Sequence, residues 1–494
     1  RLAAGYQRLL VPALRHRKLV LAGSALLFVL SLGVVGLLRQ EFIPSQDMSR
    51  FGIRFQTPVG SSLDTSERIL SQIESFLKSR PEVNMFGGFV GGFGGGEVNS
   101  GFLFVTMKEP ADRPVDPKTG RRLTQNELMA VTRQATSALP GARIVMQDFS
   151  QRGFSAGRGG GFPVEFNIRG RDWDELGRSS RAIMEKMRES GLVTDINSDY
   201  QVGMPEVQVI PDRNKAADLG ISMADIGETV NSAIGGVRIG KFKDKGRRFD
   251  IRVRLLAPQR ERPEDIQRLL VRTGGGGLVR LGDVVRIEQR PTLQTITRRD
   301  RERAITLTAN VAPGVSQGVA IDRSMELARE VLPDGYRVVA SGSARTFREA
   351  FESLLFAMIL GLIVAYMVLA SQFNAFTHPF TVLLALPFSI SGALVALYLA
   401  GQSLNVYSFL GLILLMGIAK KNSILLVDFT NQARASGMER HEALLHACPV
   451  RLRPILMTSI ATIAGALPPA LAIGPGAELQ RPMALAIVGG MIVS

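Results

Sequence analysis

The sequence has 494 residues, 46% hydrophobic and 21% charged, with a formal net charge of +15 and one cysteine, Cys448. It is too apolar for an ordinary soluble protein and too charged for a bare membrane bundle, so apolar helices joined to a sizeable aqueous domain are expected. The lone cysteine excludes an internal disulfide and a cysteine metal cluster, and basic residues spread along the chain argue against a nucleic-acid partner.

In chain order, residues 1–18 form a polar, helix-like flank carrying Arg8, Arg15, Arg17 and Lys18. Residues 19–38 are free of charge and, as a helix of ~30 Å, match the hydrocarbon core of a bilayer. "RFGIRFQTPVG" (50–60) then alternates like a strand and "SLDTSERILSQIESFLKSR" (62–80) is amphipathic, with Asp64 near its start. "SGFLFVTMK" (100–108), "TQNELMAVTRQATSAL" (124–139) and "ARIVMQ" repeat strand, helix, strand, the order of a split βαβ unit. The order recurs as "PVEFNIRG" (163–170) with "WDELGRSSRAIMEKMRES", and as "AITLTANV" (304–311) with "SQGVAIDRSMELAREVL" and "YRVVAS". Between these pieces lies an insertion with its own helix at 222–233 and β-rich hairpins. We therefore place one subdomain at 39–170, a second at 171–213 with 299–350, and the insertion at 214–298.

A long block without charge begins at 353 and is divided by turn-like sequence into helices at 353–371, 380–400 and 405–427. A cytoplasmic loop or helix at 428–454, a helix at 455–473 and the start of a sixth at 483–494 complete the chain. Its unmethionylated start and short final apolar run read as a fragment of something longer. Arg434, Arg440, Arg451 and Arg453 join the N-terminal basic flank on the cytoplasmic side by the positive-inside rule, leaving 39–352 outside.

Lys421, in "LLMGIAKKNSILLVDF", is the most informative residue. A lysine inside a membrane helix costs about 2.5–3.5 kcal/mol on insertion scales, so it has a partner or a wet cavity, or snorkels to the surface with Lys420. No other apolar segment holds Asp or Glu, and Asp428 is two turns away, roughly 10 Å along the axis. The carboxylate is expected in polypeptide outside this chain, and a Lys–carboxylate pair broken by protonation is a simple proton-coupling device. The stretch "NMFGGFVGGFGGGEVNSGFLF" (84–104) combines a permissive backbone with Phe86, Phe89, Phe93, Phe102 and Phe104, and suits either loose binding of apolar molecules or a loop tucking its rings into the local core. "GGVRIGKF" (235–242) has Phe242 where a phosphate loop needs Ser or Thr, and "HEALLH" (441–446) spaces its histidines wrongly for zinc.

"GIAKKNSILLVDF" (417–429) and "RLRPILMTS" (451–459) closely resemble the second half of resistance–nodulation–cell division (RND) transporters; "FIPSQD", "ADRP" and "LGIS" fit the same pattern. The resemblance covers essentially the whole chain and is best to the hydrophobe/amphiphile multidrug branch. It implies an α-helical membrane bundle, its last helix incomplete, plus a large periplasmic α+β domain with ferredoxin-like porter subdomains and an inserted docking subdomain. It further implies a homotrimer in the bacterial inner membrane, the missing N-terminal half, a periplasmic membrane-fusion adaptor and an outer-membrane channel as partners, and no cofactor. The function implied is drug/proton antiport, not enzymatic catalysis. Lys421, Asn422, Arg451 and Thr458 match the family's proton relay. Phe86, Phe93 and Phe104 fall on drug-pocket positions, Gly91, Gly92, Gly94, Gly95 and Gly96 on the switch loop, and Phe162, Val164 and Phe166 on the entrance cleft. Asn197 stands where well-studied members carry a pocket arginine. The alternatives are a heavy-metal exporter of the same superfamily, for which Met48, Met85, Met107, Met146 and Met204 are available, and a non-transporting scaffold, against which Lys421 argues.

Overall fold

The computed structural model describes residues 2–91, 97–116, 120–137, 139–152, 161–472 and 477–494. Arg1–Tyr200 with Thr297–Ser494 form one compact unit and Gln201–Ile296 another.

Helices α1 (Leu2–Arg15) and α2 (Arg17–Val35) open the chain. A first sheet follows, from β1 (Arg50–Gln56), β2 (Val83–Val90), β3 (Ser100–Met107) and β4 (Arg143–Asp148), with α3 (Leu63–Lys78) after β1 and α4 (Gln125–Thr136) after β3. Its order β2-β3-β1-β4, antiparallel throughout, is that of a split βαβ unit. Alternation drives Phe51, Ile53, Phe55, Leu103, Val105 and Met107 onto one face, buried with Ile73, Leu77 and Leu128 of the helices. Ser62 caps α3, and Thr124 with Glu127 forms a capping box on α4. Arg113 lies beneath this layer, 3% exposed, pairing bidentately with Asp47 and donating to Ser49 Oγ (2.8 Å), Lys108 O (2.9 Å) and Leu123 O (3.0 Å).

The second sheet begins with β5 (Val164–Gly170), α5 (Trp173–Glu189) and β6 (Val193–Ser198). The inserted unit comes next: β7 (Val202–Pro211), α6 (Arg213–Asp218), α7 (Met223–Val230), β8 (Val237–Asp244), β9 (Arg247–Val253), α8 (Pro263–Gln267), β10 (Leu270–Arg272), β11 (Leu278–Arg280), α9 (Leu281–Val284) and β12 (Val285–Leu293). It packs around Ala216, Ile221, Ile226, Leu281 and Val284. Then β13 (Arg298–Arg299), β14 (Glu302–Val311), α10 (Gln317–Val331) and β15 (Arg337–Ala340) complete the second sheet. β14 and β15 flank β5, and β6 pairs with β14, so the split βαβ order repeats.

Two expected boundaries move. The strand at 164–170 belongs to the second subdomain rather than closing the first, because Val164, Phe166 and Ile168 complete the core that α5 and α10 share. The insertion runs over 201–296 rather than 214–298, because β7 and β12 pair with each other along their length.

β15 leads directly into α11 (Gly342–Phe373), followed by α12 (Thr377–Leu383), α13 (Leu386–Leu399), α14 (Val406–Ala435), α15 (Arg440–Ala470) and α16 (Ala477–Val493). Among the described residues five spans are long and apolar enough to cross a membrane: Arg17–Val35, Gly342–Phe373, Thr377–Leu399, Val406–Ala435 and Arg440–Ala470. The stretch 428–454 is almost wholly helical, since α14 runs to Ala435 and α15 starts at Arg440, continuing through Pro449 and Pro454. α13, α14 and α16 approach closely through glycines: a Cβ at Gly489 would overlap Ala396, and one at Gly490 would overlap Leu415. At one end of the bundle Leu404 N donates to Arg39 O (2.7 Å) and Asp47 N to Glu478 Oε2 (3.1 Å); at the other, Tyr6 of α1 meets Cys448 of α15.

Candidate functional site

The expected relay residues lie on two neighbouring helices. Asn405 caps α14 by accepting from Tyr407 N and Ser408 N, and an unbroken helix then carries Lys420, Lys421 and Asn422. Asn422 Nδ2 donates to Ser459 Oγ of α15 at 3.5 Å, and Thr458, its neighbour, turns its hydroxyl to Ile455 O at 3.0 Å. Arg451 stands over the Phe429 ring at 4.4 Å, and that ring stacks on His446 at 6.1 Å. Asn422 and Arg451 thus cross the α14–α15 seam at points about two turns apart, while the Thr458 hydroxyl bonds within α15. Lys421 does not join them: it is exposed, and the one carboxylate of α14, Asp428, accepts from Gln432 instead. Ser459, Phe429 and His446 were not singled out from sequence; for Ser459 the signal was its place beside Thr458.

The second cluster lies on the first sheet, on the face away from α3 and α4. Phe89 of β2 stands opposite Phe102 of β3, and Phe102 meets Phe104 edge-on at 4.7 Å. Phe149, just after β4, closes the group at 6.4 Å from Phe102 and 6.0 Å from Phe104. Gly52 of β1 makes room for it, since a Cβ there would overlap the Phe102 ring. Phe104 remains 41% exposed, so the cluster presents aromatic surface rather than sealing itself.

Strand parity separates the expected pocket residues. Phe86 pairs with Val105 and packs toward the helix-covered core, on the opposite face from Phe104. Phe162, Val164 and Phe166 are buried, the last two in the core of the second subdomain, and offer no open cleft surface here. Gly91 lies at φ 83° and donates to Ser100 O at 2.7 Å, closing the β2–β3 hairpin. Phe93, Gly92, Gly94, Gly95 and Gly96 lie outside the described residues. Asn197 accepts from Arg143 at 2.9 Å. Among the described residues no group of three His, Cys, Asp or Glu side chains is placed to hold a metal.

A family model described as the AcrB/AcrD/AcrF family matches residues 1–494. Two crystal structures of a heavy metal efflux pump, crystal forms II and I, are similar at 25% identity, with TM-scores of 0.86 and 0.87. They cover 100% of this chain and 51% and 50% of their own, so the chain spans about half their length.

Proposed function

Since this chain belongs to the AcrB/AcrD/AcrF family of transporters, we propose that it forms half of a proton-driven efflux pump for hydrophobic or amphiphilic molecules. The pump sits in the bacterial inner membrane with its α+β region in the periplasm, and works as a homotrimer with an adaptor and an outer-membrane channel. The observation that carries the substrate class is the partly exposed Phe89–Phe102–Phe104–Phe149 cluster, whose ring faces bind apolar groups without demanding one shape. Energy enters through Lys421. Its exposed side chain on a membrane helix awaits a carboxylate from the other half, and protonating that carboxylate frees the lysine.

Two measurements in the intact transporter test this. Lys421→Ala abolishes proton-dependent dye efflux while leaving membrane expression unchanged; undiminished export would remove Lys421 from the coupling. Phe102→Ala removes aromatic contacts of about 0.5–1.5 kcal/mol each, raising the KM for an aromatic dye roughly 5-fold for ~1 kcal/mol lost. An unchanged KM would place the binding surface elsewhere.

Export of a soft metal cation is the second reading, supported by the heavy metal pump among the similar structures. Within the unit that holds both sheets, the exposed thioethers of Met48 and Met85 are the soft donors available to it, since Met107 and Met146 are buried in the first core. Sensitivity of cells to copper and zinc salts, measured beside dye efflux, separates the two. If only metal tolerance falls with Lys421→Ala, the organic reading is wrong.

A further inference from the structure

A single carboxylate stands where β15 turns into α11. Glu165 lies on β5, one residue before the Phe166–Ala340 pair, and is 4% exposed. Its main-chain oxygen accepts from Ser341 N at 3.0 Å, and its Oε1 accepts from Ser341 Oγ at 3.4 Å. Its Oε2 is buried without a donor and lies against Gly342, the first residue of α11. Gly342 has φ 51°, and a Cβ there would overlap the carboxylate, so glycine is required twice over. The Ser343 hydroxyl, one residue on, is also buried without a partner. Among the described residues, the charged groups acting on Glu165 are Asp199, after β6, and Arg299 on β13. Arg169 of β5 turns to Asp300 instead, and Arg345 of α11 pairs with Glu349.

We propose that Glu165 is a proton-binding site controlling this joint: protonated, it holds Ser341 and Gly342 in place, and ionised, it draws toward water and releases the first turn of α11. An ionised oxygen buried without a donor is the costly form. Burial, and then the like charge of Asp199, push the Glu165 carboxyl above the usual carboxylate range, against the lowering by Ser341 and Arg299. The dipole at the start of α11 favours the ion but supplies Oε2 with no hydrogen bond. The direction follows from linkage. A carboxyl that binds its proton more tightly in the closed joint than in water stabilises that joint at low pH, and the stabilisation is lost as pH rises through the raised value. The proton passes to bulk water.

This inference is independent of what the protein transports, and its readout is amide exchange rather than transport. In the intact transporter, exchange at residues 341–346, corrected for intrinsic rates, should show protection that is constant at low pH. Protection should then fall by at most about tenfold per pH unit above the ordinary carboxylate range, as loss of one proton requires. Glu165→Gln keeps low-pH protection throughout, while Asp199→Asn moves the fall to lower pH by removing a like charge. Protection independent of pH in the unmodified protein, or a Glu165→Gln profile that matches it, overturns the proposal. Should Glu165→Gln fail to fold, the unmodified and Asp199→Asn profiles decide the question alone.

Discussion

Arg113, beside the first sheet, and Glu165, on β5 of the second, show how two buried charged groups meet opposite ends. Every donor direction of Arg113 is used, on Asp47, Ser49 and two main-chain oxygens, which is the condition for a buried ion pair to hold. Burial alone would raise the Asp47 carboxyl, but Arg113 and the main-chain donors Gln125 and Ser49 hold it below the ordinary range. Its contribution to stability is therefore present above the usual carboxylate pKa and lost as pH falls through the depressed value, the reverse of Glu165. Removing the guanidinium strands the carboxylate. Arg113→Ala should cost about 3–5 kcal/mol in thermal unfolding of the purified transporter and erase the acid-side loss assigned to Asp47. A variant as stable as the unmodified protein would show that the buried pair adds nothing net to stability. Gly52→Ala tests the other cluster: its methyl displaces the Phe102 ring, so dye efflux should fall while first-sheet stability changes by ~1–3 kcal/mol.

At the scale of elements, the split βαβ order and the membrane helices were legible because each depends on local periodicity or local apolarity. Sheet membership was not. Which sheet takes β5 depends on strands over a hundred residues away, and no pattern within "PVEFNIRG" names β14 or β15 as its partners. The facing of Phe86 was missed for a different reason. Phe86 and Phe89 differ by three positions and so point to opposite faces, a parity that an alignment of pocket positions does not register. Of the residues matched to the relay, Asn422 and Arg451 reach from one helix to the other and Lys421 faces outward, a facing that the helix sequence alone does not give. Helix contact within the bundle depends on glycine as well. Gly392 and Gly489 meet with main-chain oxygens where a Cβ would stand, and lipid offers no hydrophobic drive to close such a gap. Gly489→Val should part α13 from α16, costing about 1–3 kcal/mol and lowering the yield of detergent-stable protein. Unchanged yield and melting would show that the pair has slack.

For the whole molecule, the ties at the two ends of the bundle fix a consistent threading. The C-terminal end of α2 meets the residues before α14, and Asp47 meets the start of α16, so these ends share the side that carries the α+β region. Tyr6 against Cys448 puts α1 and the start of α15 together at the opposite end. That end carries Arg8, Arg15, Arg17 and Lys18 with Arg434, Arg440, Arg451 and Arg453, a concentration of positive charge that the positive-inside rule would assign to the cytoplasmic side. By the same rule, chain connectivity would put the residues between the spans Arg17–Val35 and Gly342–Phe373 across the membrane from those basic flanks, Lys243 among them. Single-cysteine labelling reads this directly. In a transporter freed of its other cysteines, Cys448→Ser included, Lys243→Cys should react with a membrane-impermeant maleimide in cells whose outer membrane alone is permeabilised. Ser436→Cys, between α14 and α15, should react only after the inner membrane is opened. Both positions are exposed, so accessibility to the reagent is set by the membrane and not by the fold. The reverse pattern would invert the molecule, turning the α+β region to the cytosol and leaving the basic flanks on the side where membrane insertion does not place them.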